Sequence, residues 1–278
     1  MTVKIIATDM DGTFLTDRKT YDKVLFDRLW QLCQEQDIKF VVASGNQYRQ
    51  IIQQFPGRSD HIAVIAENGG HIVVNGKTLL EEFVSPHAVT RLLSYMESYY
   101  PEAIINLAGK KSSYMLQTTP TAVKEALRYY LPAMQYVDNW HRVSDDHFFK
   151  VTFLVEESLT SSIQKAINQR FRSDRLRATS SGFGCLDIIP AHVHKGTGLK
   201  YLLEYWGLTA DSLLAFGDGG NDLEMLKLAK YSYAMANAAE EVKAAAAFQA
   251  PANEENGVLK VMASYLMKQE AEHTAFNM

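Results

Sequence analysis

Cysteine is nearly absent from this sequence, which has only Cys33 and Cys185 among its 278 residues. Two thiols that lie so far apart give neither a disulfide framework nor a cysteine-rich zinc site. Long apolar runs are also missing, because no segment approaches the roughly 18 to 20 apolar residues that a membrane-spanning helix requires. The early apolar stretch is interrupted by Asp9 and Asp11, so we predict no signal peptide and a cytoplasmic protein.

Clustered positive charge is lacking as well. Lysine and arginine together number 28, against 32 aspartate and glutamate residues, and the net charge is −4. Proteins that bind nucleic acids or anionic membranes need patches of Lys and Arg, so we expect neither partner. With 47% hydrophobic and 22% charged residues, the composition is that of an ordinary globular protein of one or two domains.

Apolar strand-like segments and helix-like segments alternate over the first 75 residues. The strand-like segments are VKIIAT at 3–8, KFVVAS at 39–44 and HIAVIA at 61–66. Strands that are apolar throughout and separated by helices indicate a parallel sheet that is covered on both faces. The pair Asn75-Gly76, between two β-prone segments, then predicts a β-hairpin.

The pattern changes after Pro86, where helix-like and strand-like segments are typical of an α+β unit with its own antiparallel sheet. From Pro190 onward, apolar strand-like segments again alternate with helix-like segments, as they do in the first 75 residues. Both ends of the chain are therefore expected to build one sheet. We therefore predict an α/β protein whose Rossmann-like parallel-sheet core is formed by residues 1–83 and 188–278. Residues 84–187 are predicted to form an inserted α+β domain.

Polar residues occupy four predicted strand ends or helix starts. They are Asp9 and Asp11 after the first strand, Ser44 and Gly45 after the second, Lys195 at a helix start, and GDGGND at 217–222. In an open parallel sheet, ligands bind outside the carboxyl ends of the strands. These residues are therefore expected to converge on one crevice.

The carboxylates of this set need a positive partner, because several of them in one partly dry pocket cannot stay uncompensated. They are Asp9, Asp11, Asp218 and Asp222. Mg²⁺ prefers hard oxygen ligands completed by water, so we predict a magnesium site. Asp9 and Asp218 would each supply a carboxylate oxygen, and Asp11 its backbone carbonyl.

The other residues of the set suit a phosphoryl group. Lys195 adds a positive charge, and Ser44 and Asn221 add neutral hydrogen-bond donors. Glycines such as Gly45 let backbone N–H groups approach a ligand. A small phosphorylated molecule is therefore the predicted ligand.

A carboxylate is also a competent phosphoryl acceptor. On this hypothesis Asp9 attacks phosphorus, and Asp11 protonates the leaving alcohol and later deprotonates the hydrolytic water. Each motif by itself has a simpler interpretation, since Asp-Gly is common in turns and a single lysine is usually a solvated charge. The hypothesis depends on all four elements occurring in this order.

The four elements together resemble the motifs of the haloacid dehalogenase superfamily of phosphotransferases. They read DMDGT, ASGN with Ser44, HKGTGL with Lys195, and GDGGND. The similarity is closest to the Cof-type sugar-phosphatase branch and covers essentially the whole chain, including AENGGHIVVNG, LDIIPAHVHKG and YAMANA. In that branch a cap domain is inserted between the second and third motifs, at the position of the insertion predicted here.

The resemblance implies a Mg²⁺-dependent phosphatase of small phosphorylated metabolites, with sugar phosphates as the expected substrates. It implies that Asp9 is the nucleophile and Asp11 the general acid and base. The implied metal ligands are Asp9, the backbone carbonyl of Asp11, and Asp218, with Asp222 oriented nearby. The residues implied in binding phosphate or substrate are Ser44, Gly45, Asn46, Lys195 and Asn221.

Asn46 departs from the family pattern, because many members have Arg at this position. The change removes a charge near the mouth of the site, which is expected to alter substrate selection without touching the chemical step. Two alternatives remain open at this stage. One is a phosphomutase, in which the aspartyl phosphate returns to substrate, and the other is a non-catalytic sensor of phosphorylated ligands on the same fold.

Overall fold

The computed structural model describes residues 2–143, 145–182 and 184–276. In these ranges the strands, labelled in chain order, are β1 Ile5–Thr8, β2 Lys39–Ala43, β3 Ala63–Ala66, β4 His71–Val74, β5 Lys77–Glu81, β6 Ile104–Gly109, β7 Ser113–Leu116, β8 Met134–Val137, β9 Phe148–Leu154, β10 Leu176–Gly182, β11 Cys185–Pro190, β12 Leu213–Gly217, β13 Tyr231–Met235 and β14 Phe248–Ala250. The helices are α1 Lys23–Glu35, α2 Tyr48–Ile52, α3 Pro86–Tyr99, α4 Thr121–Leu127, α5 Thr160–Arg170, α6 Lys195–Trp206, α7 Leu223–Leu228, α8 Glu240–Ala245 and α9 Gly257–Phe276. Among these helices, none has the length and apolar character needed to cross a membrane.

The first sheet has the strand order β14-β13-β12-β1-β2-β3-β4-β5. The strands from β14 to β3 are parallel to one another, whereas β4 and β5 form antiparallel pairs at the edge. Asn75 and Gly76, with φ of 51° and 70°, connect β4 to β5, which confirms the predicted hairpin. Strands from both ends of the chain share this sheet, and the predicted α/β class with a Rossmann-like parallel core is confirmed.

Strand β1 lies at the centre of this sheet and is buried along its whole length. Successive strand residues point to opposite faces, so Ile6 lies in the same apolar cluster as Phe26 of α1 and Leu266 of α9. Ile5 lies in the cluster on the other face, with Leu199 of α6. Two helical layers therefore fix the strand whose end carries Asp9.

The second sheet is built from residues 104–190, in the strand order β10-β11-β9-β6-β7-β8. Apart from the parallel pair β7–β8, its strand pairs are antiparallel. Helices α3 and α5 cover one face, where Leu92 and Ile163 share a cluster with Val151. This is the arrangement expected of the inserted α+β domain. The predicted boundary at 187/188 falls within β11, and the domain limits stay a prediction.

Candidate active site

Three neighbouring strands of the first sheet end at the same edge. Asp9 follows β1, Ser44 follows β2 and Asp218 follows β12, and both β2 and β12 pair with β1. The N–H of Asp9 donates to the Phe216 carbonyl at 3.1 Å, which continues the β1–β12 pairing as far as Asp9. The structure therefore brings these three predicted site residues to the carboxyl edge of the parallel strands.

The turn after β1 requires glycine at position 12. Gly12 has a φ of +75°, and a Cβ atom there would collide with the carboxylate of Asp218. The next hydroxyl, from Thr13, donates to Oδ1 of Asp218. The side chain of Met10, between the two aspartates, is fully buried in the apolar core and so fixes the turn. The sequence Asp-Met-Asp-Gly-Thr thus holds two loops of the site together.

Lys195 enters the site because helix α6 begins at this residue. His194 is the N-cap, and its Nδ1 accepts a hydrogen bond from the Thr197 N–H at 3.2 Å, while burial lowers the pKa of the imidazole. A neutral His194 is the form that can accept this bond. The cap fixes the first turn of the helix, and the Lys195 side chain is fully buried.

The ammonium group of Lys195 lies between two carboxylates. Its Nζ is 2.6 Å from Oδ1 of Asp9 and 2.6 Å from Oδ1 of Asp222. Burial alone lowers the pKa of Lys195, but the charges of Asp222 and Asp9 hold it above its ordinary value. The other oxygen of Asp222 accepts the N–H groups of Asp218 and Gly219, at 3.0 and 2.9 Å. Asp222 therefore orients both the lysine and the loop that carries Asp218.

The carboxylates at this edge fit a divalent cation. Asp9, Asp218 and Asp222 each offer an oxygen within 4.8 Å of the other two. Burial raises the pKa of Asp9 well above its ordinary value, which the charge of Lys195 only partly opposes. Burial also raises the pKa of Asp218 to about 6, with the charge of Asp222 adding to the effect. Burial is the main cause of both pKa shifts and neighbouring carboxylates add to them, so the ionised forms need a further positive partner, and hard oxygen donors are what Mg²⁺ prefers.

Asp11 is held by two side chains. Nζ of Lys19 is 2.5 Å from its Oδ1, and Nδ2 of Asn46 is 2.7 Å from its Oδ2. The sequence did not identify Lys19 as a site residue. Lys19 lies in a tight turn, in which its φ is 57° and its N–H donates to the Thr16 carbonyl at 2.8 Å. This turn places the Lys19 side chain beside Asp11. Lys19 therefore supplies positive charge beside Asp11 and Asn46.

The other predicted phosphate-binding residues lie in two loops. Ser44 is buried, and its Oγ accepts the N–H of Asn46 at 3.1 Å. Asn221 donates through Nδ2 to Oδ1 of Asn68 at 3.1 Å. The structure thus brings Ser44, Gly45 and Asn46 to the end of β2, and it places the Asn221 amide against Asn68.

Comparison with known proteins identifies the family. The haloacid dehalogenase-like hydrolase family matches residues 6–262. The chain belongs to this family. The resemblance predicted from the four motifs is confirmed.

Relatives of this hydrolase include phosphatases. The 5-amino-6-(5-phospho-D-ribitylamino)uracil phosphatase YbjI of Escherichia coli is 41% identical over 271 residues, covering 98% of each chain. The crystal structure of SMU.1108c from Streptococcus mutans is 45% identical, with a TM-score of 0.92, and covers 96% of this chain and 100% of that one. A haloacid dehalogenase-like hydrolase from Bacteroides thetaiotaomicron, 23% identical with a TM-score of 0.81 over 95% of this chain and 99% of that one, shares the fold. The chain is therefore a phosphoric monoester hydrolase of small phosphorylated metabolites.

Sequence reasoning missed a second buried charged cluster of this hydrolase, between the two sheets. Its members are Glu67 and Asn68, which follow β3, together with Lys150 of β9 and Asp187 of β11. Asp187 accepts hydrogen bonds at Oδ2 from Asn68 Nδ2, at 2.9 Å, and from Lys150 Nζ, at 3.1 Å. A sequence signal existed, because a lysine within FFKVTFL and an aspartate within LDII are charges inside apolar strands.

Glu67 makes the stability of this cluster depend on pH. Burial raises the pKa of Glu67 to about 7, which the charge of Lys150 opposes and that of Asp187 reinforces. A carboxyl with a raised pKa in the folded state stabilises the fold most at low pH, and this contribution is lost as pH rises to about 7. The Glu67→Gln variant cannot ionise, so relative to it the wild type should lose on the order of 2 kcal/mol of unfolding free energy between pH 5 and pH 8.

Urea unfolding of both proteins under identical conditions, repeated across this pH range, measures the difference. Glu240→Gln, an exchange at an exposed carboxylate of α8 that pairs with Lys243, is the control and should show no such trend. A constant difference between wild type and Glu67→Gln would show that Glu67 does not titrate in this window.

Proposed function

We propose that this protein is a Mg²⁺-dependent phosphatase that hydrolyses phosphate monoesters of sugars and sugar alcohols through an aspartyl-phosphate on Asp9. The observation that carries the proposal is the buried Asp9 carboxylate, which lies at the end of β1 with one oxygen 2.6 Å from Lys195. Asp218 lies close enough to share a cation with it. A nucleophile, a fixed cation and a metal-binding pair therefore meet at one point.

In the first step, an oxygen of Asp9 attacks phosphorus and the bond from phosphorus to the leaving alcohol breaks. Asp11 donates its proton to the departing oxygen. In the second step, Asp11 takes a proton from water, whose oxygen attacks phosphorus and releases phosphate and the Asp9 carboxylate. Asp9, Asp218 and the backbone carbonyl of Asp11 would hold the Mg²⁺, which would supply positive charge for the phosphoryl oxygens.

The phosphoryl oxygens are bound, in this proposal, by the loops around the crevice. The residues are Ser44, Gly45, Asn46, Lys195 and Asn221. Asn221 would exchange its bond to Asn68, at 3.1 Å, for one to the phosphoryl group. Lys19 and Asn46 each donate to one oxygen of Asp11, which holds this carboxylate in an orientation suited to accepting a proton from water. One of the two bonds must open for the same group to deliver its proton to the leaving alcohol.

The substrate proposal rests on the Escherichia coli relative. That protein is named as a phosphatase of 5-amino-6-(5-phospho-D-ribitylamino)uracil, whose phosphate is carried on a sugar-alcohol chain. We infer the same ester, and phosphorylated sugars of similar length, as substrates of this chain. Its partner is then a small phosphorylated molecule, and its site of action is the cytoplasm.

Phosphate release from a panel of esters tests this proposal. With Mg²⁺ the purified protein should release phosphate from 5-amino-6-(5-phospho-D-ribitylamino)uracil and from sugar phosphates. Excess EDTA should abolish the release, and added Mg²⁺ should restore it. Turnover that survives EDTA would contradict the metal dependence. A sugar phosphate that is isomerised without phosphate release would favour the phosphomutase, and no reaction with any ester would favour the sensor.

A further inference from the structure

The phosphoryl-binding loop Ser44-Gly45-Asn46 has a hydrogen-bond donor on each of its three carbonyl groups. The donors are the Asn68 N–H to the Ser44 carbonyl at 3.0 Å, Nζ of Lys150 to the Gly45 carbonyl at 2.6 Å, and the Glu67 N–H to the Asn46 carbonyl at 3.0 Å. Two of these donors are backbone groups that follow β3 in the same sheet. The third is a side chain from β9 of the second sheet, 105 positions away.

Burial and two neighbouring carboxylates fix the side chain of Lys150 in this position. Its side chain is only 10% exposed, and Nζ also lies 3.1 Å from Oδ2 of Asp187 and 3.5 Å from Oε2 of Glu67. Burial lowers the pKa of Lys150, but the charges of Asp187 and Glu67 hold it above its ordinary value. Nζ donates hydrogen bonds to the Gly45 carbonyl and to Asp187, whereas its contact with Glu67 is a charge interaction without a hydrogen bond. Lys150 is therefore a charged link between the two sheets.

The Gly45 carbonyl is connected to the Ser44 hydroxyl by rigid geometry. The peptide bond is planar, so fixing the Gly45 carbonyl also fixes the direction of the Asn46 N–H. That N–H donates to Oγ of Ser44 at 3.1 Å. Because Oγ accepts this bond, the hydroxyl proton of Ser44 points elsewhere and is available as a donor.

We propose that Lys150 is a positioning residue for phosphoryl binding. From the inserted domain it fixes the Gly45 carbonyl, and through the peptide that joins Gly45 to Asn46 it orients the Ser44 hydroxyl toward the phosphoryl group. The inference rests on the proposed function, in which Ser44 binds a phosphoryl oxygen. The inference adds that the phosphate site is complete only when the second sheet packs against the first. Lys150 therefore acts on the phosphoryl group, which all substrates share, and not on the leaving group.

Lys150→Met tests the inference, because it keeps the length of the side chain and removes the donors. We expect inorganic phosphate to bind about tenfold more weakly, since one charge-assisted hydrogen bond no longer orders the loop. The kcat/KM values for p-nitrophenyl phosphate and for a sugar phosphate should fall by the same factor. Calorimetry with Mg²⁺ and phosphate, and steady-state kinetics with both esters, measure these effects.

Two further variants separate positioning from folding. Lys150→Met leaves Asp187 buried without its cation, so the double variant Lys150→Met/Asp187→Asn removes that charge and should show the same loss of phosphate affinity. Lys110→Met replaces a lysine of the same domain that is half-exposed and pairs with Glu81, and it should leave phosphate affinity unchanged. Urea unfolding confirms that each protein is folded at the assay temperature.

Unchanged phosphate affinity in the folded Lys150 variants would overturn the inference. A loss of kcat/KM confined to the sugar phosphate would also overturn it, because Lys150 would then contact the leaving group. If the wild type neither binds phosphate nor hydrolyses either ester, the proposed function fails and this inference fails with it. A wild type that does both, with variants that match it, refutes the positioning role alone.

Discussion

Replacement of Asp9 by Asn is expected to lower phosphate release on the order of 10⁴-fold while the protein stays folded. A carboxamide is a poor nucleophile toward phosphorus and a weaker ligand for a divalent cation. The fold should tolerate the change, because burial raises the pKa of the Asp9 carboxyl and its ionised form is therefore costly without metal. Lys195 keeps its second carboxylate partner, Asp222.

Two measurements separate chemistry from folding in this variant. Phosphate release from the best ester of the panel reports the chemical step. The upward shift of the melting temperature on adding Mg²⁺ reports metal binding and should shrink with Asp9→Asn. Asp211→Asn is the control, because Asp211 is exposed at the opposite end of β12, where it forms a surface ion pair with Lys230. Wild-type turnover by Asp9→Asn would exclude Asp9 as the nucleophile.

The arrangement of the strand ends could be predicted from the sequence because it follows from a local pattern. Apolar runs that end in polar residues predict parallel strands, and the carboxyl ends of neighbouring strands must share an edge. Asp9, Ser44 and Asp218 meet in this way although more than two hundred residues separate the first from the last. Their chemical roles follow from residue type and stay predictions until the variants are measured.

The contacts of Lys19 and Lys150 could not be predicted, because each depends on distances that no local pattern encodes. Lys19 occurs in a polar turn, where the sequence alone predicts a solvated charge. Its positive φ places the side chain beside Asp11. Lys150 was recognisable as a charge inside an apolar strand, but its partner Gly45 follows a strand of the other sheet. The second sheet therefore contacts the loop at residues 44–46 through a side chain that lies outside the four motifs.

Lys195→Met is expected to impair both stability and activity. The substitution leaves Asp9 and Asp222 buried without their shared cation, and removing one partner of a buried ion pair costs about 3 to 5 kcal/mol. Phosphate release should also fall on the order of 10³-fold, because the fixed positive charge beside the phosphoryl group is lost. Lys230→Met, at an exposed ion pair, should change neither quantity appreciably.

The double variant Lys195→Met/Asp222→Asn distinguishes the two effects of Lys195. Neutralising Asp222 removes one uncompensated charge, so urea unfolding should show a partial recovery of stability relative to Lys195→Met. Activity should not recover with it, because the neutral carboxamide introduced at position 222 cannot replace the ammonium group beside Asp9. Equal recovery of stability and turnover would mean that Lys195 only balances charge in the fold. Recovery of stability alone, provided that the single variant Asp222→Asn keeps its turnover, would show that the same ammonium group both stabilises the buried carboxylates and takes part in phosphoryl transfer.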